Sequence, residues 1–463
     1  MLPAIALVGR PNVGKSTLFN RLTKSRDALV ADQPGVTRDR RYGFARHGDC
    51  EFVVIDTGGI GGDGAEIIES QVVEQAVQAI EEADAVVLVV DGRAGQTGSD
   101  LDLADRLRRT DKPVFLAVNK AEGVSTEIAS AEFHALGIGE PYAISALRGQ
   151  GVNKLVAAVL EPLPQAERNE PDADGLPRLA VVGRPNVGKS TLINRLTGDQ
   201  RLITSPEPGT TRDSVEVRCE RGDDTFLLID TAGIRRRARI DEAIEKFSVV
   251  QSLRALEVAG AAIVMIDARE GVTDQDLHLV GLAAERGSAL VIGVNKWDGM
   301  AVDERRRVEA QVDRGLRFVP YAKVLYLSAL HGSGIAELVR AALRAHAAAG
   351  RTYPTPRLNQ ILSAVTEAHS PPIVRGRQVR LRYAHQGGRF PTLVVIHGSQ
   401  AERVPDRYRR YLENAFREAL RLAGTPVKIE FRSGDNPFAG RRNELTPRQV
   451  RRKKRLIRHS RKR

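Results

Sequence analysis

The stretch GRPNVGKSTL occurs twice, at residues 9–18 and again, letter for letter, at 183–192. Other motifs travel with it. PGVTRD at 34–39 returns as PGTTRD at 208–213, and IDTGGI at 55–60 as IDTAGI at 229–234. VVLVVDGRAGQT at 86–97 is echoed by AIVMIDAREGVT at 262–273. VNKAE at 118–122 answers VNKWD at 294–298, and SALRGQG at 145–151 answers SALHGSG at 328–334. The copies lie 174 residues apart at the first motif, 176 at VNKAE/VNKWD and 183 at the last. That period is far longer than a solenoid repeat, so the chain carries a duplicated domain.

Within each copy, short apolar runs alternate with helical patterns. AIALVG, CEFVVID, AVVLVVD and PVFLAVN end in Gly, Asp or Asn, and stretches such as KSTLFNRLT lie between them. Continuously apolar strands separated by helices predict a mostly parallel sheet covered on both faces, an α/β fold. The first copy is expected over 1–163 and the second over 178–350. Residues 164–177, rich in Pro and charge, read as an extended linker.

After Pro354 and Pro356 the pattern changes. PRLNQILSAVTEAH reads as a helix, and RQVRLRYAHQ and PTLVVIHGS as strands. PDRYRRYLENAFREALRLAG reads as a helix capped by Asp406 and closed by Gly424, and PVKIEFR as a third strand. This order predicts a small α+β domain over 351–440. Residues 441–463 have no apolar period and are expected to be disordered in isolation.

The net charge of +12 is unevenly spread: −7 over 1–350, +8 over 351–440 and +11 over 441–463. The basic end predicts a polyanion partner, nucleic acid ahead of a merely solubilising role. No apolar run approaches the ~18 residues of a membrane span. The N-terminus lacks a basic leader and reads as a first strand. The two cysteines, Cys50 and Cys219, read as thiols rather than a disulfide, and the chain as cytoplasmic.

The decapeptide fits G-x-x-x-x-G-K-[ST] in both copies. Gly9, Arg10, Pro11, Asn12, Val13, Gly14, Lys15, Ser16 and Thr17 form one loop. Gly183, Arg184, Pro185, Asn186, Val187, Gly188, Lys189, Ser190 and Thr191 form the other. Backbone N–H groups of such a loop wrap phosphates. The lysine reaches the terminal phosphates, and the Ser16 or Ser190 hydroxyl suits Mg²⁺. Asp56 and Asp230 end apolar strands, where a carboxylate can hold that metal through water. The residues that follow, Thr57, Gly58, Gly59 and Ile60, match Thr231, Ala232, Gly233 and Ile234. A glycine N–H at Gly59 or Gly233 can touch a γ-phosphate. Thr37 and Thr211 sit in loops suited to closing over Mg²⁺.

The base is read by Asn119, Lys120, Ala121 and Glu122 with Ser145 and Ala146. In the second copy Asn295, Lys296, Trp297 and Asp298 pair with Ser328 and Ala329. Asp298 can accept from both N1–H and the exocyclic amine of guanine. Adenine lacks that donor pair and would leave the carboxylate unpaired, at a cost of about 1–3 kcal/mol. Asn295 can reach the guanine rim, Lys296 can pack over the base, and the Ser328–Ala329 turn suits a backbone N–H at O6. The series is specific for GTP over ATP.

On these motifs the chain resembles the bacterial Der (EngA) family of Era-like GTPases over nearly its full length. Two tandem P-loop G domains followed by a KH-like domain mark that family, and RYRRYLENAFRE and GTPVKIEFRSGDNPF are also similar to it. The resemblance implies a monomeric, cytoplasmic GTPase that uses GTP/GDP and Mg²⁺. It also implies a role in assembly of the large (50S) ribosomal subunit through rRNA, with no DNA or membrane partner. It implies as well that Asn12 and Asn186 hold K⁺ beside the phosphates, as in potassium-stimulated GTPases; a turn-stabilising asparagine is the alternative. An ion there is needed because Ile60 and Ile234 stand where many G proteins place a water-orienting glutamine.

Three features depart from the pattern. Glu122 replaces the usual Asp, one methylene further out, which predicts a weakened but surviving preference for guanine. The third domain lacks a G-x-x-G loop; the nearest text is HQGGRF at 385–390. Arg235, Arg236, Arg237 and Arg239 follow the second DxxG motif, where the first copy has GIGGDGAE. One switch is therefore basic and the other glycine-rich and acidic; the basic one reads either as a solvated loop or as a contact to RNA or another domain made only in one nucleotide state. Competing functions are an RNA-modifying GTPase, a membrane-remodelling GTPase and a passive RNA binder. The intact lysine and Mg²⁺ positions in both copies and the missing cofactor motifs favour the ribosome-directed switch.

Overall fold

The computed structural model describes residues 2–23, 41–48, 50–57, 77, 79–122, 130–163, 175–198, 216–222, 224–229, 249–374 and 377–433. The first repeat runs β1 (Ala4–Val8), α1 (Lys15–Thr23), β2 (Arg41–His47), β3 (Cys50–Asp56), β4 (Ala85–Asp91) and α2 (Gly98–Leu107). It continues through β5 (Val114–Asn119), a 3-10 turn (Ala131–Leu136), β6 (Pro141–Ala143) and α3 (Val152–Leu160). The second repeat runs β7 (Arg178–Gly183), α4 (Lys189–Thr197), β8 (Val217–Arg221), β9 (Asp224–Ile229), α5 (Val249–Val258) and β10 (Ala261–Asp267). It closes with α6 (Asp274–Arg286), β11 (Ala289–Asn295), α7 (Val302–Gly315), β12 (Lys323–Tyr326) and α8 (Ile335–Ala349).

The two six-stranded sheets have one topology. The first is ordered β2-β3-β1-β4-β5-β6 and the second, read the same way, β8-β9-β7-β10-β11-β12. Only the edge pairs β2–β3 and β8–β9 are antiparallel. All seven residues of β4 and of β10 are buried, as a parallel strand covered on both faces requires. Alternate residues supply two cores. Ile5, Leu7, Val54, Val87 and Val89 pack with Leu18, Phe19, Leu155 and Val159 on one face. Ala4, Ala6, Val53, Ile55, Val86 and Leu88 belong to the other core, which is continuous with Leu253, Leu279, Val280, Val264 and Ile292 of the second repeat. The fold class read from the sequence is the one observed.

Both repeats lie in one compact unit, residues 1–351 with 389–392 and 420–427. Polar contacts join the repeats inside it. Arg254 Nη2 donates to both Asp84 carboxylate oxygens, at 2.6 and 2.5 Å. The Leu2 N–H donates to Glu257 Oε2 at 2.7 Å. The Arg286 guanidinium lies 5.7 Å from the Phe44 ring centre and 3.6 Å from the Glu51 carboxylate.

The second unit holds residues 352–388, 393–419 and 428–463. Its described elements are α9 (Thr355–Ala368), the short hairpin β13 (Ile373–Val374) and β14 (Arg377–Gln378), β15 (Arg380–Gly388), β16 (Thr392–Ser399), α10 (Asp406–Ala419) and β17 (Val427–Ser433). The strands order β15-β16-β17. Leu358, Leu362, Leu412 and Phe416 of the helices are buried with Ala384, Val394, Ile396 and Ile429. Strand β14 falls at the start of the run RQVRLRYAHQ read as a strand, but β13 and the turn between them carried no signal in the sequence. The last helix is also shorter than the sequence predicts. Asp406 is its first residue rather than its cap, and it stops at Ala419, not near Gly424. Gly424 spends its backbone elsewhere: its N–H donates to Tyr321 O at 3.1 Å, and its carbonyl accepts from Leu290 N–H at 2.6 Å. A Cβ there would sit 2.5 Å from Ala345 Cβ, so the close approach also requires glycine.

Candidate nucleotide sites

Each repeat gathers its motifs at the carboxyl ends of its parallel strands, where ligands of open α/β sheets bind. Leu7 registers with Asp56, Asp91 with Asn119, and Asp267 with Asn295. The phosphate-type loop joins β1 to α1 and β7 to α4. Its backbone is shaped for close approach. Gly9 has φ 154°, and a Cβ there would lie 2.2 Å from Val89 O. Gly14 has φ 98°, and a Cβ would lie 2.3 Å from Asn119 Nδ2. Gly183 and Gly188 repeat this against Met265 O and Asn295 Nδ2. Asn12 and Asn186 hold left-handed backbones, φ 65° and 60°.

Lys15 is buried. Its ammonium donates to Gly9 O at 2.8 Å and to Arg10 O at 2.9 Å, both in its own loop. Burial pushes its pKa down, and the nearby Asp56 carboxylate pulls it partly back. Lys189 donates to Arg184 O in the same manner. Asp56 is fully buried at the end of β3, and the adjacent Thr57 hydroxyl donates to Leu7 O at 2.9 Å. Ser16 and Ser190 lie half-buried in the first turns of α1 and α4, while Thr17 and Thr191 are exposed.

The base-side residues act as a brace. Asn119 Nδ2 donates to Val13 O at 2.8 Å, and its Oδ1 accepts from Ala146 N–H at 2.9 Å. Asn295 makes the same pair with Val187 O and Ala329 N–H, both at 2.8 Å. One carboxamide thus ties the phosphate loop to the Ser-Ala turn. It does so with the groups that sequence reasoning aimed at the guanine rim, and it takes up the Ala146 and Ala329 N–H. The Ser145 and Ser328 N–H groups donate to Gln150 O and Ser333 O, and their hydroxyls accept from Arg148 and His331 N–H. Ala121 and Trp297 N–H bond to Ile144 O and Leu327 O, both at 3.1 Å. Lys120 Nζ donates to Asp91 at 2.6 Å and to Asn12 O at 2.8 Å; Lys296 pairs with Asp267. The Lys120 hydrogen bond helps hold Asp91 below the ordinary carboxylate value, although burial alone would raise it.

The two specificity acids differ. Arg93 Nη2 donates to Glu122 Oε1 at 2.6 Å. The Ser145 hydroxyl, its own backbone and then Arg93 and Arg148 hold Glu122 below the usual glutamate range. The Ser328 hydroxyl does the same for Asp298, with smaller contributions from His331 and Arg269; His331 Nε2 stands 3.4 Å away. Trp297 stacks obliquely on Tyr326, centroids 4.2 Å apart, with Arg305 at 5.6 Å from its ring.

Several contributors escaped the sequence reading. Asp100 and Asp276 are buried at helix starts, in capping boxes with Thr97 and Thr273. They hold Arg10, at 3.5 Å, and Arg184, at 2.8 Å. The P-loop arginines are therefore anchored in the protein. Arg21 of α1 donates to Ala146 O and Leu147 O, and Arg195 of α4 to Leu330 O. The available signal was recurrence at matched positions in the two copies. Thr37, Gly58, Gly59, Ile60, Thr211, Asp230, Thr231, Ala232, Gly233, Ile234, Arg235–Arg239 and the tail 441–463 lie outside the described residues.

A family model described as "50S ribosome-binding GTPase" matches residues 4–120 and again 178–296. One described as the C-terminal KH-domain-like region of EngA bacterial GTPase enzymes matches 353–432. The chain is 52% identical to GTPase Der of Methylococcus capsulatus over 464 residues, covering all of both chains. It is 54% identical to GTPase Der of Halorhodospira halophila over 452 residues, 97% of this chain and 95% of that protein. Among solved structures, a probable GTP-binding protein engB is 27% identical over 34% of this chain and 97% of its own, at a TM-score of 0.28.

Proposed function

This chain belongs to the GTPase Der family, a family of GTP-binding and GTP-hydrolysing proteins, and from that premise we propose that it is a two-site GTPase switch in ribosome biogenesis. Its target is the 50S subunit and its rRNA, and the nucleotide states of the two sites control that binding. The observation that carries this reading is the doubled brace. In each repeat one asparagine, Asn119 or Asn295, locks a phosphate loop to its own base loop, so both sites are built to bind.

At each site the loop from Gly9 to Thr17, or from Gly183 to Thr191, wraps the phosphates with its N–H groups. Lys15 and Lys189, now bonded to loop carbonyls, turn their ammonium toward the terminal phosphates. The depressed basicity of Lys15 reflects a desolvated charge that an anion would restore. Glu122 and Asp298 read guanine. Thr37, Gly59, Thr211 and Gly233 close the sites. The donor set fits a hard cation: the half-buried Ser16 hydroxyl in the first turn of α1 and the buried Asp56 carboxylate at the end of β3 are hard oxygen donors, and in the second repeat Ser190 and Asp230 are the residues of the same motifs. Bound Mg²⁺ supplies Lewis acidity toward the phosphates, with Thr37 and Thr211 completing its shell. Asn12 and Asn186, exposed on left-handed backbones, hold K⁺. The working modules are 1–163, 178–350 and 351–440, with a linker at 164–177 and a basic tail at 441–463, in a cytoplasmic monomer.

Co-sedimentation with isolated ribosomal subunits under GDP and under a non-hydrolysable GTP analogue tests the reading. The expected result is binding to the large subunit that changes with nucleotide. Equal binding in both states, or none, overturns it.

A further inference from the structure

The two repeats place an arginine at the same point of the base side, but only one of the two reaches the base-reading acid. Arg93 and Arg269 follow β4 and β10. Each backbone N–H donates to the aspartate that ends its strand, Arg93 to Asp91 at 3.0 Å and Arg269 to Asp267 at 2.9 Å. Those aspartates register with Asn119 and Asn295, at the head of each base loop. The sites then diverge through one methylene. Glu122 is long enough for Arg93 Nη2 to donate to its Oε1 at 2.6 Å. Among the described residues no arginine stands within ion-pair distance of Asp298, and Arg269 acts on it only through its charge from further off.

The rest of the Glu122 carboxylate carries the argument further. Its side chain is 11% exposed, against 29% for Asp298. Its second oxygen, Oε2, is buried and has no hydrogen-bond partner among the described residues. A buried acceptor left unpaired is costly, so a ligand that brings a donor gains at that atom. The Ser145 and Ser328 hydroxyls favour the charged form of both acids and so do not separate the sites. Arg93 does separate them. Guanine presents two donors, N1–H and the exocyclic 2-amine, and two parallel hydrogen bonds need both carboxylate oxygens. With Oε1 held by the guanidinium, Glu122 has one oxygen left for the base.

We propose that Arg93 sets the base specificity of the first site, which reads its purine through N1–H alone and therefore takes inosine nucleotides nearly as well as guanosine nucleotides. Hypoxanthine is guanine without the 2-amine, the one group for which this site has no acceptor. Adenine stays excluded, because its N1 is itself an acceptor and would leave Oε2 unpaired. At the second site Asp298 keeps both oxygens for the base, so loss of the 2-amine strands one of them. The inference rests on the reading of Glu122 and Asp298 as the base-reading acids and adds which donors each one counts.

The test titrates GDP and IDP onto the full chain, with Lys189→Ala disabling the second site or Lys15→Ala the first. The quantity read is the ratio of the IDP to the GDP dissociation constant, which cancels any general loss of affinity. The ratio is expected to stay within about threefold at the first site and to reach about tenfold at the second, the size of one charge-assisted hydrogen bond. Arg93→Ala should raise the first-site ratio toward that of the second. Glu122→Asp should do the same with Arg93 in place, because the shorter acid withdraws from the guanidinium. Equal ratios at the two sites, or a first-site ratio that Arg93→Ala does not move, overturn the inference. If Glu122→Ala leaves first-site GDP affinity unchanged, the base-reading assignment fails and the inference with it. Nucleotide-independent subunit binding would overturn the switch reading alone and leave this titration in force.

Discussion

Arg93 grips Glu122: its Nη2 lies 2.6 Å from one carboxylate oxygen, whereas Asp298, the corresponding acid of the second site, has a neutral hydroxyl and a histidine beside it. A glutamate at this position is one methylene too long for the family pattern. The arginine holds that extra length in place and at the same time occupies part of the carboxylate.

Asp298→Asn is therefore expected to lower GDP affinity at the second site by at least about tenfold, since it removes charge-assisted hydrogen bonds to guanine. Glu122→Gln should cost the first site only a few-fold. Titration of guanine and xanthine nucleotides, with the other site disabled, measures both. A larger loss at Glu122 would contradict the assignment. Glu122→Asp should make the first site insensitive to Arg93→Ala.

Potassium should accelerate hydrolysis more than sodium in matched chloride salts. Asn186→Ala should remove most of the difference at the second site. Because Asn186 sits at φ 60°, alanine adds about 1 kcal/mol of backbone strain. Asn186→Gly keeps the backbone and removes only the side chain, so it should behave like alanine if the carboxamide matters. A glycine variant with intact potassium response would assign Asn186 to the turn alone.

The nucleotide loops were legible because each is a contiguous string whose spacing states its chemistry. Asn119 was legible as part of NKAE, but its brace to Val13 spans a sequence separation of 106 and exists only once the sheet forms. Asp100 and Asp276 read as ordinary acids on polar helices; only folding buries them against arginines in the loops. The end of α10 was misjudged because a glycine expected to close a helix instead bonds to Tyr321 and Leu290, a tertiary demand that local pattern cannot express. The stacking of His385 on His397 needs strand register, which a bulge between Leu381 and Tyr383 shifts.

Cys219 is buried in the second repeat, and burial raises its thiol to about 11. In the unfolded chain it ionises near the ordinary thiol value of about 9. The unfolded state thus binds fewer protons between pH 9 and 11, and stability should fall as pH rises through that window, by about 2 kcal/mol at most. Chemical denaturation of wild type and Cys219→Ala at pH 8 and pH 10.5 checks this: the alanine variant should lose less on alkalinisation. Native protein should also resist iodoacetamide at Cys219 at pH 8, and labelling at the unfolded rate would refute the burial argument.

The Arg254–Asp84 pair should contribute to docking of the two repeats. It is partly exposed, so Arg254→Ala is expected to cost about 1 kcal/mol or less. The more telling readout is calorimetric. Wild type should melt with the repeats coupled, and Arg254→Asp should separate their transitions, with Asp84→Arg in the same chain bringing them together. Unaltered coupling in Arg254→Asp would leave the shared apolar core as the sole link.

Removal of residues 441–463 should weaken binding to ribosomal RNA and leave both nucleotide sites intact. The deletion takes away +11 of a net +12, so the lost contribution should be counterion release and steeply salt-dependent. Every described P-loop and base-loop contact lies within residues 2–333, so basal hydrolysis should barely change. Affinities of full-length and truncated protein for rRNA, compared across a salt series, measure this electrostatic part. If both proteins share one affinity and one salt slope, the tail is a solubilising segment. The polyanion contact then moves to Arg375–Arg382 in the third domain or to Arg235–Arg239 of the second switch sequence.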